Sequence, residues 1–151
     1  MDRLTPDEVR ARERMALIAV STVVQAGKAY AAVNGQLFDE LRCFMAPAEC
    51  IPNFPAEEAP FLDPTYPWLD TRLGYARKFH PGPKATPEQI ARWRASPSSL
   101  TAFAFTVFPA VLGRSGGRAF CGDSSGRMCV RNDGREPLVR DGKCDPCQKL
   151  Q

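Results

Sequence analysis

Six cysteines are the residues of this sequence with the greatest capacity for chemistry, and they fall into three close pairs. An even number of cysteines in a small chain rich in loops favours disulfide bonds and an oxidising compartment. We predict that each cysteine bonds its nearest neighbour; the main rival arrangement joins the C-terminal tail to a hairpin through Cys121 or Cys129. Spacing leaves this choice open, because six cysteines allow fifteen connectivities. The predicted pairs are Cys43 with Cys50, Cys121 with Cys129, and Cys144 with Cys147.

The tetrapeptide from Cys144 to Cys147, CDPC, has three chemical interpretations: a redox dithiol, half of a zinc site, or a structural disulfide. A redox motif needs a helix after its first cysteine to lower the thiol pKa, and here only QKLQ follows. A four-thiolate zinc site that adds Cys121 and Cys129 has the knuckle spacing in only one of its pairs. Structural disulfides are therefore favoured, and a small intracellular zinc or redox protein is an alternative. Haem attachment is excluded because Gln148 stands where a c-type motif needs histidine.

The other polar residues do not favour an enzyme. His80 is the only histidine, and beside two prolines it is more typical of a loop residue than of a general base. Glu57-Glu58 lies in a proline-rich segment, where a solvated surface is expected. We predict no catalytic residue and no cofactor; calcium is a weaker possibility, since the spacing of the aspartates near the C-terminus matches no EF-hand. These aspartates are Asp123, Asp133, Asp141 and Asp145.

Size and charge limit the class of protein. A chain of 151 residues is most simply one domain with a real core. Its net charge of +3, from 20 basic and 17 acidic residues without long runs, does not indicate a nucleic-acid partner. We find neither a signal peptide nor a run of about 20 apolar residues that would span a membrane. The 14 prolines and 11 glycines predict long ordered loops and short strands.

One long helix, from Pro6 to about Val33, is the element around which the chain is predicted to fold. A capping-box signature starts it: Thr5 is the N-cap, Pro6 holds the first helical position and Glu8 lies three residues after the cap. The dipeptide Asn34-Gly35, which is typical of turns, predicts where the helix ends. Apolar residues at three- and four-residue spacings give it one face that the rest of the chain must cover. They are Val9, Ala16, Ala19, Val20, Val23, Gly27, Tyr30 and Ala31.

The downstream pattern predicts an α+β fold, with the helix packed on a small antiparallel meander of about four strands and with loops stapled by disulfides. A second capping box at Thr86 and Gln89 starts a short helix at Pro87, in which Ile90 and Trp93 face inward. The predicted regions are 1–35 as helix, 36–72 as loop with a short helix at 37–44, 73–132 as sheet, and 133–151 as tail. Strands are expected at 74–80, 100–109, 119–121 and 128–130, the last two joined by the turn Asp123-Ser124-Ser125-Gly126.

Aromatic residues are expected mainly in the core. On the strand at 100–109 either the phenylalanines or the alanines can face the helix, because both fit the period of two. An extracellular binding module that uses the proline-rich loop and exposed aromatics is a further alternative. The aromatics assigned to the core are Tyr75, Phe103, Phe105, Phe108, Trp68 and Trp93, and those that hold the loop 45–67 are Phe54, Phe61, Tyr66 and Trp68.

Three stretches carry a resemblance to a known family. RARERMALIAVSTVVQAGKAYAAVNG, FDELRC with the proline-rich loop to LDP, and SSLTAFAFTVFP with GRSGGRAFCGDSSGRMCV together resemble the globular domain of type IV pilins and type II secretion pseudopilins of the general secretion pathway protein G kind. The resemblance implies a non-catalytic structural subunit of a pilus or pseudopilus. It also implies partners that are other pilin-like subunits, bound through the N-terminal helix.

The start of the sequence departs from that family. Its leader, cleavage site and apolar half-helix do not precede Thr5, so we expect this chain to be the soluble part of a longer precursor; the alternative is a natural paralogue without the anchor. The resemblance implies a periplasmic or extracellular location on a cell-surface filament, a full-length precursor in the inner membrane, and contact with the membrane only through the anchor segment.

Overall fold

A computed structural model describes residues 4–65, 74–114 and 116–150, and its longest element is helix α1, Pro6–Val33. The predicted capping box is confirmed: the Glu8 N–H donates to Thr5 Oγ1 at 3.1 Å, and the Thr5 N–H donates to Glu8 Oε1 at 3.0 Å. At the other end the Asn34 N–H donates to the Ala31 carbonyl, and Gly35 adopts a positive φ of 64°. The sequence therefore marks both ends of α1 correctly.

Two short helices follow within the residues that the structure describes. Helix α2, Leu41–Met45, leads into a 3-10 turn at Pro47–Glu49. Helix α3, Pro87–Trp93, begins with the predicted second capping box, in which Thr86 and Gln89 exchange hydrogen bonds of 3.1 and 2.8 Å. Trp93 is not in the core, contrary to the prediction: its side chain is 56% exposed, because α3 lies on the surface with no fully buried residue.

The strands of the described ranges are β1 Tyr75–Pro81, β2 Phe103–Pro109, β3 Ala119–Asp123, β4 Met128–Arg131, β5 Val139–Arg140, β6 Lys143–Cys144 and β7 Gln148–Lys149. Five of them form one antiparallel sheet in the order β1-β2-β3-β4-β7. The predicted α+β class is thus confirmed. The prediction of about four strands omitted a fifth, β7, which the C-terminal tail adds by pairing with β4. A separate two-stranded ribbon, β5 with β6, precedes it.

The inner face of the sheet, the side that packs on α1, holds most of the core. Phe103 and Phe105 of β2 and Phe120 of β3 are at most 1% exposed and belong to the same cluster as the α1 residues Val20, Val23 and Tyr30. The phenylalanine side of β2 therefore faces the helix. At Gly27 the helix lies so close that a Cβ atom would stand 2.4 Å from Phe103 Cζ, so only glycine fits this contact.

The outer face of the sheet is covered by the C-terminal tail. Ala104 of β2 lies in a small buried cluster with Cys121, Cys129 and Cys144, and Val139 and Cys147 pack against its edge. At Gly142 the tail contacts the backbone just after β1, and a Cβ atom on Gly142 would lie only 2.8 Å from Gly82 Cα. The molecule thus has three layers: α1, the sheet and the tail.

The loop after α2 is held by backbone and aromatic contacts. The N–H groups of Phe61 and Leu62 both donate to the Phe44 carbonyl, at 2.9 and 3.0 Å. The Phe61 ring lies 5.8 Å from that of Tyr30 and 6.1 Å from that of Phe54. The predicted roles of Phe54 and Phe61 are confirmed, whereas Tyr66 and Trp68 lie outside the described residues.

Helix α1 is long and apolar enough to be a candidate membrane span, contrary to the prediction from the sequence. Among the described residues it is the one helix with sufficient length and hydropathy, with a mean hydropathy of 1.4 over its most apolar window. Of that window 44% is buried inside the protein. A core helix of a soluble protein passes the same test, so this composition is weak support for a membrane span.

Candidate functional site

The six cysteines form three disulfides, and two of the predicted pairings are wrong. Cys43 bonds Cys50 as expected, with 5.8 Å between their Cα atoms. The other two pairs cross over: Cys121 bonds Cys144 and Cys129 bonds Cys147, with Cα separations of 6.0 and 5.2 Å.

The cause of this crossover is the position of the tail. Cys121 and Cys129 are register partners on β3 and β4, but both face outward, where the tail passes over them. The two cysteines of CDPC therefore lie over different strands, Cys144 over β3 and Cys147 over β4. The tail is thus joined to the hairpin, as in the rival arrangement. No cysteine keeps a free thiol. None is available as a thiolate ligand for zinc, and the three disulfides indicate an oxidising location outside the cytoplasm.

Asp123, one of the calcium candidates, is a fully buried junction between the β3–β4 turn and the tail. Its carboxylate accepts hydrogen bonds from the N–H and hydroxyl of Ser125, from the Cys144 N–H at 3.0 Å, and from the Arg127 guanidinium at 3.2 Å. Burial alone raises the pKa of Asp123, but these hydrogen bonds and the Arg127 charge outweigh it and leave the pKa below the ordinary value of 3.8. The carboxylate thus stays ionised and ties the tail to the sheet.

The other calcium candidates do not join it. Asp133 pairs with Arg131 at 2.9 Å, and Asp145 lies 3.8 Å from Arg140. Within the described ranges, the one group of three metal-ligating side chains is Asp39 with Cys43 and Cys50, and its two sulfurs are bonded to each other. The four aspartates therefore do not assemble into one site.

Asp39 lies at the centre of a buried polar network that the sequence does not predict. The Asp39 carboxylate accepts hydrogen bonds from the Tyr30 hydroxyl at 2.6 Å and the Ser98 hydroxyl at 2.7 Å, and nearby Asn34 accepts from the Ser96 N–H at 2.8 Å. Burial, followed by the hydrogen bond and charge of Asp39, raises the pKa of Tyr30 far above its ordinary range. The network fastens the C-terminal end of α1 to the loop before β2. A single aspartate after Leu37-Phe38 gives no sequence signal for it.

His80 lies in β1, within the strand predicted at 74–80, and β1 continues to Pro81. Its Nε2 is 2.9 Å from Thr106 Oγ1 on the outer face of the sheet. Burial lowers the pKa of His80, the Lys78 charge lowers it further, and Glu136 partly offsets both. The residue is held by a neutral hydroxyl, which suits a structural role.

Two surface features remain on α1. The first, the helix groove, is a shallow depression on the side of α1 away from the sheet. Its lining is Ile18, Ser21, Thr22, Gln25, Ala26, Ala29 and Phe61. The second, the arginine cleft, lies near the start of α1 and encloses about 190 Å³. Its lining is Arg10, Glu13, Arg14, Leu17, Arg118 and Phe120.

Comparison with protein-family models, with curated proteins and with solved structures finds no match to this chain. Functional inference therefore depends on the fold and on these surfaces.

Proposed function

We propose that this chain is the globular part of a structural, non-catalytic subunit of a type IV pilus or type II secretion pseudopilus, located in the periplasm or outside the cell. The observation that carries the proposal is the half-covered α1. Its most apolar window is only 44% buried, in a disulfide-bonded protein whose own sheet covers just one side of the helix.

The helix groove supports contact between copies. Ile18 is 55% and Met15 40% exposed, so aliphatic area stays in contact with water along α1. The small side chains of Ser21, Ala26 and Ala29 allow another helix to approach the backbone closely. The resemblance noted above implies subunit contact through the same helix, and the helix-before-meander order is consistent with it.

Site-specific photo-crosslinking in the cells that make the protein tests this. A benzophenone amino acid replaces Ile18 in the helix groove, and the matched control replaces Leu138, which is 60% exposed on the tail. We expect a ladder of linked copies from position 18 and only monomer from position 138. Monomer from both positions, or equal ladders from both, contradicts the proposal.

A second variant separates assembly from folding. Ala29 is exposed and lines the helix groove, so Ala29→Arg leaves the core intact but fills the space a neighbouring helix needs. We expect its thermal unfolding to match that of the parent protein while the ladder disappears.

The alternative of an extracellular binding module is favoured by one observation, the exposed Trp93. The Arg92 guanidinium lies 5.2 Å from the centre of its ring, which makes a small cationic and aromatic surface. A binding module needs no second copy, so under this alternative position 18 yields monomer and the Ala29→Arg variant behaves as the parent.

A further inference from the structure

One end of the molecule combines arginines with exposed aliphatic side chains. The sheet ends here at the register pairs Tyr75 with Pro109 and Ala119 with Arg131. Helix α1 begins at the same end, because Gly117 lies against both Val9 and Glu13. We call this region the basic end and define it by Arg10, Arg14, Arg114, Arg118, Val111 and Leu112.

The arginine cleft is the basic part of this end. Arg10, Arg14 and Leu17 follow one another on a single face of α1, opposite Arg118 and Phe120. The Arg118 guanidinium lies 5.6 Å from the centre of the Phe120 ring. The cleft therefore offers three arginines and the Glu13 carboxylate above an apolar floor, with the positive charge in excess.

The acidic groups at this end leave part of the positive charge uncompensated. Asp7 pairs with Arg10, and Glu13 holds Arg118 through Nε and the second guanidinium nitrogen at 3.3 Å each. Glu8 faces Arg12, and Asp133 lies between Arg131 and Arg135 in the adjacent turn. Arg14 and Arg114 form no ion pair with any residue in the described ranges.

The apolar part is the tip of the loop between β2 and β3. Val111 and Leu112 are each 50% exposed, directly before Gly113 and Arg114. Exposed aliphatic residues beside arginines are the combination that the interface of an anionic bilayer accommodates, since aliphatic groups enter the acyl boundary and cations remain at the phosphates.

We propose that the basic end binds directly to the surface of a bilayer that contains anionic phospholipid. The arginines hold headgroup phosphates, with one in the arginine cleft, and Val111 and Leu112 enter the interface. This goes beyond the proposed function and departs from the expectation that only an anchor segment contacts the membrane, because the folded domain itself contacts lipid and no assembly is required.

Co-sedimentation of the full chain with vesicles tests the proposal. We expect binding to vesicles of equal parts phosphatidylglycerol and phosphatidylcholine, little binding to pure phosphatidylcholine, and weakening as salt rises from about 0.1 to about 1 M. Each arginine at an anionic surface contributes about fivefold in affinity, so Arg14→Gln with Arg114→Gln lowers it about 25-fold. The matched control, Arg94→Gln with Arg140→Gln, removes the same charge elsewhere and leaves the affinity within about twofold.

A second pair of variants tests insertion. Leu112→Ser is expected to weaken vesicle binding several-fold, and Leu138→Ser, at a tail residue of similar exposure, leaves it unchanged. Both positions are exposed, so both variants should unfold at the parent temperature.

Three results would overturn the proposal: no sedimentation with anionic vesicles, equal loss in the control arginine pair, or complete displacement by millimolar inorganic phosphate with no effect of Leu112→Ser. The last result marks a free-anion site instead of a lipid surface. The Ala29→Arg variant should bind vesicles as the parent does, so failure of assembly and failure of lipid binding are measured independently.

Discussion

The two faces of the sheet are held by different forces. On the inner face, large apolar side chains such as Phe103, Phe105 and Val20 interdigitate and exclude water. On the outer face the buried cluster consists of Ala104 and three half-cystines, with too little apolar area to hold a tail that has only short two-residue strands. Two disulfide bonds and the buried Asp123 carboxylate therefore attach the tail to the sheet. A small domain can therefore cover one side of a sheet by hydrophobic burial and the other by cross-links.

The largest expected effect is on the inner face. Phe103 contacts the rings of Phe38, Phe44 and Phe79 at centroid distances of 5.4 to 5.5 Å. Phe103→Ala should lower the free energy of unfolding by about 4 kcal/mol, measured by urea denaturation without reductant. Phe108→Ala on the same strand, at a half-buried position of the outer face, is the control and should cost clearly less. Equal costs would mean that the two faces do not differ in this way.

Removal of a disulfide tests the outer face. The Cys121–Cys144 bond closes a separation of 23 residues, so Cys121→Ala with Cys144→Ala should cost about 3 kcal/mol in the same assay. The Cys43–Cys50 bond closes only 7 and its removal should cost about 2 kcal/mol. If the first double variant is no less stable than the parent, the tail is held by packing after all.

The buried carboxylate should give the next effect. Asp123→Asn keeps the shape but loses charged hydrogen bonds to Arg127 and to the tail, at a cost of about 2 kcal/mol at neutral pH. Because the folded pKa of Asp123 lies below its unfolded value, its contribution is complete above about pH 4 and is lost as pH falls through the folded pKa. Urea titrations at descending pH should therefore show the parent and the variant converging in acid. A constant difference refutes this role for the carboxylate.

The smallest effect concerns His80 on the outer face. Its folded pKa lies below the ordinary 6.5, so protonation favours the unfolded chain and stability falls as pH drops below about 6.5 towards the folded pKa. His80→Gln retains a hydrogen-bonding side chain for Thr106 and should remove this slope, with a change at pH 8 below about 1 kcal/mol. Parallel stability curves for the two proteins between pH 8 and 5 would contradict it.

Local signals were sufficient to predict the elements of the inner face. Thr5, Pro6 and Glu8 define the start of α1 because a capping box satisfies backbone groups within three residues of each other. The strand that contains Phe103 and Phe105 follows from its alternation, and the hairpin from its turn. None of these predictions needs knowledge of distant contacts.

The outer face depends on contacts that sequence spacing does not encode. The nearest-neighbour disulfides were wrong because the tail returns across the sheet, and β7 was missed because two residues carry no periodicity. Asp123 is identifiable as a turn residue, but its bond to the Cys144 N–H spans 21 positions. Trp93 was assigned to the core from helical spacing, which does not say whether anything covers that face.

The crossed disulfides have a consequence for the integrity of the chain. Both bonds connect residues up to Cys129 with residues from Cys144 onward. Hydrolysis of any one peptide bond between those two cysteines leaves two fragments joined by two covalent bridges. A protein cleaved there by a protease gains only the mass of one water and stays a single covalent molecule until a reductant separates the fragments.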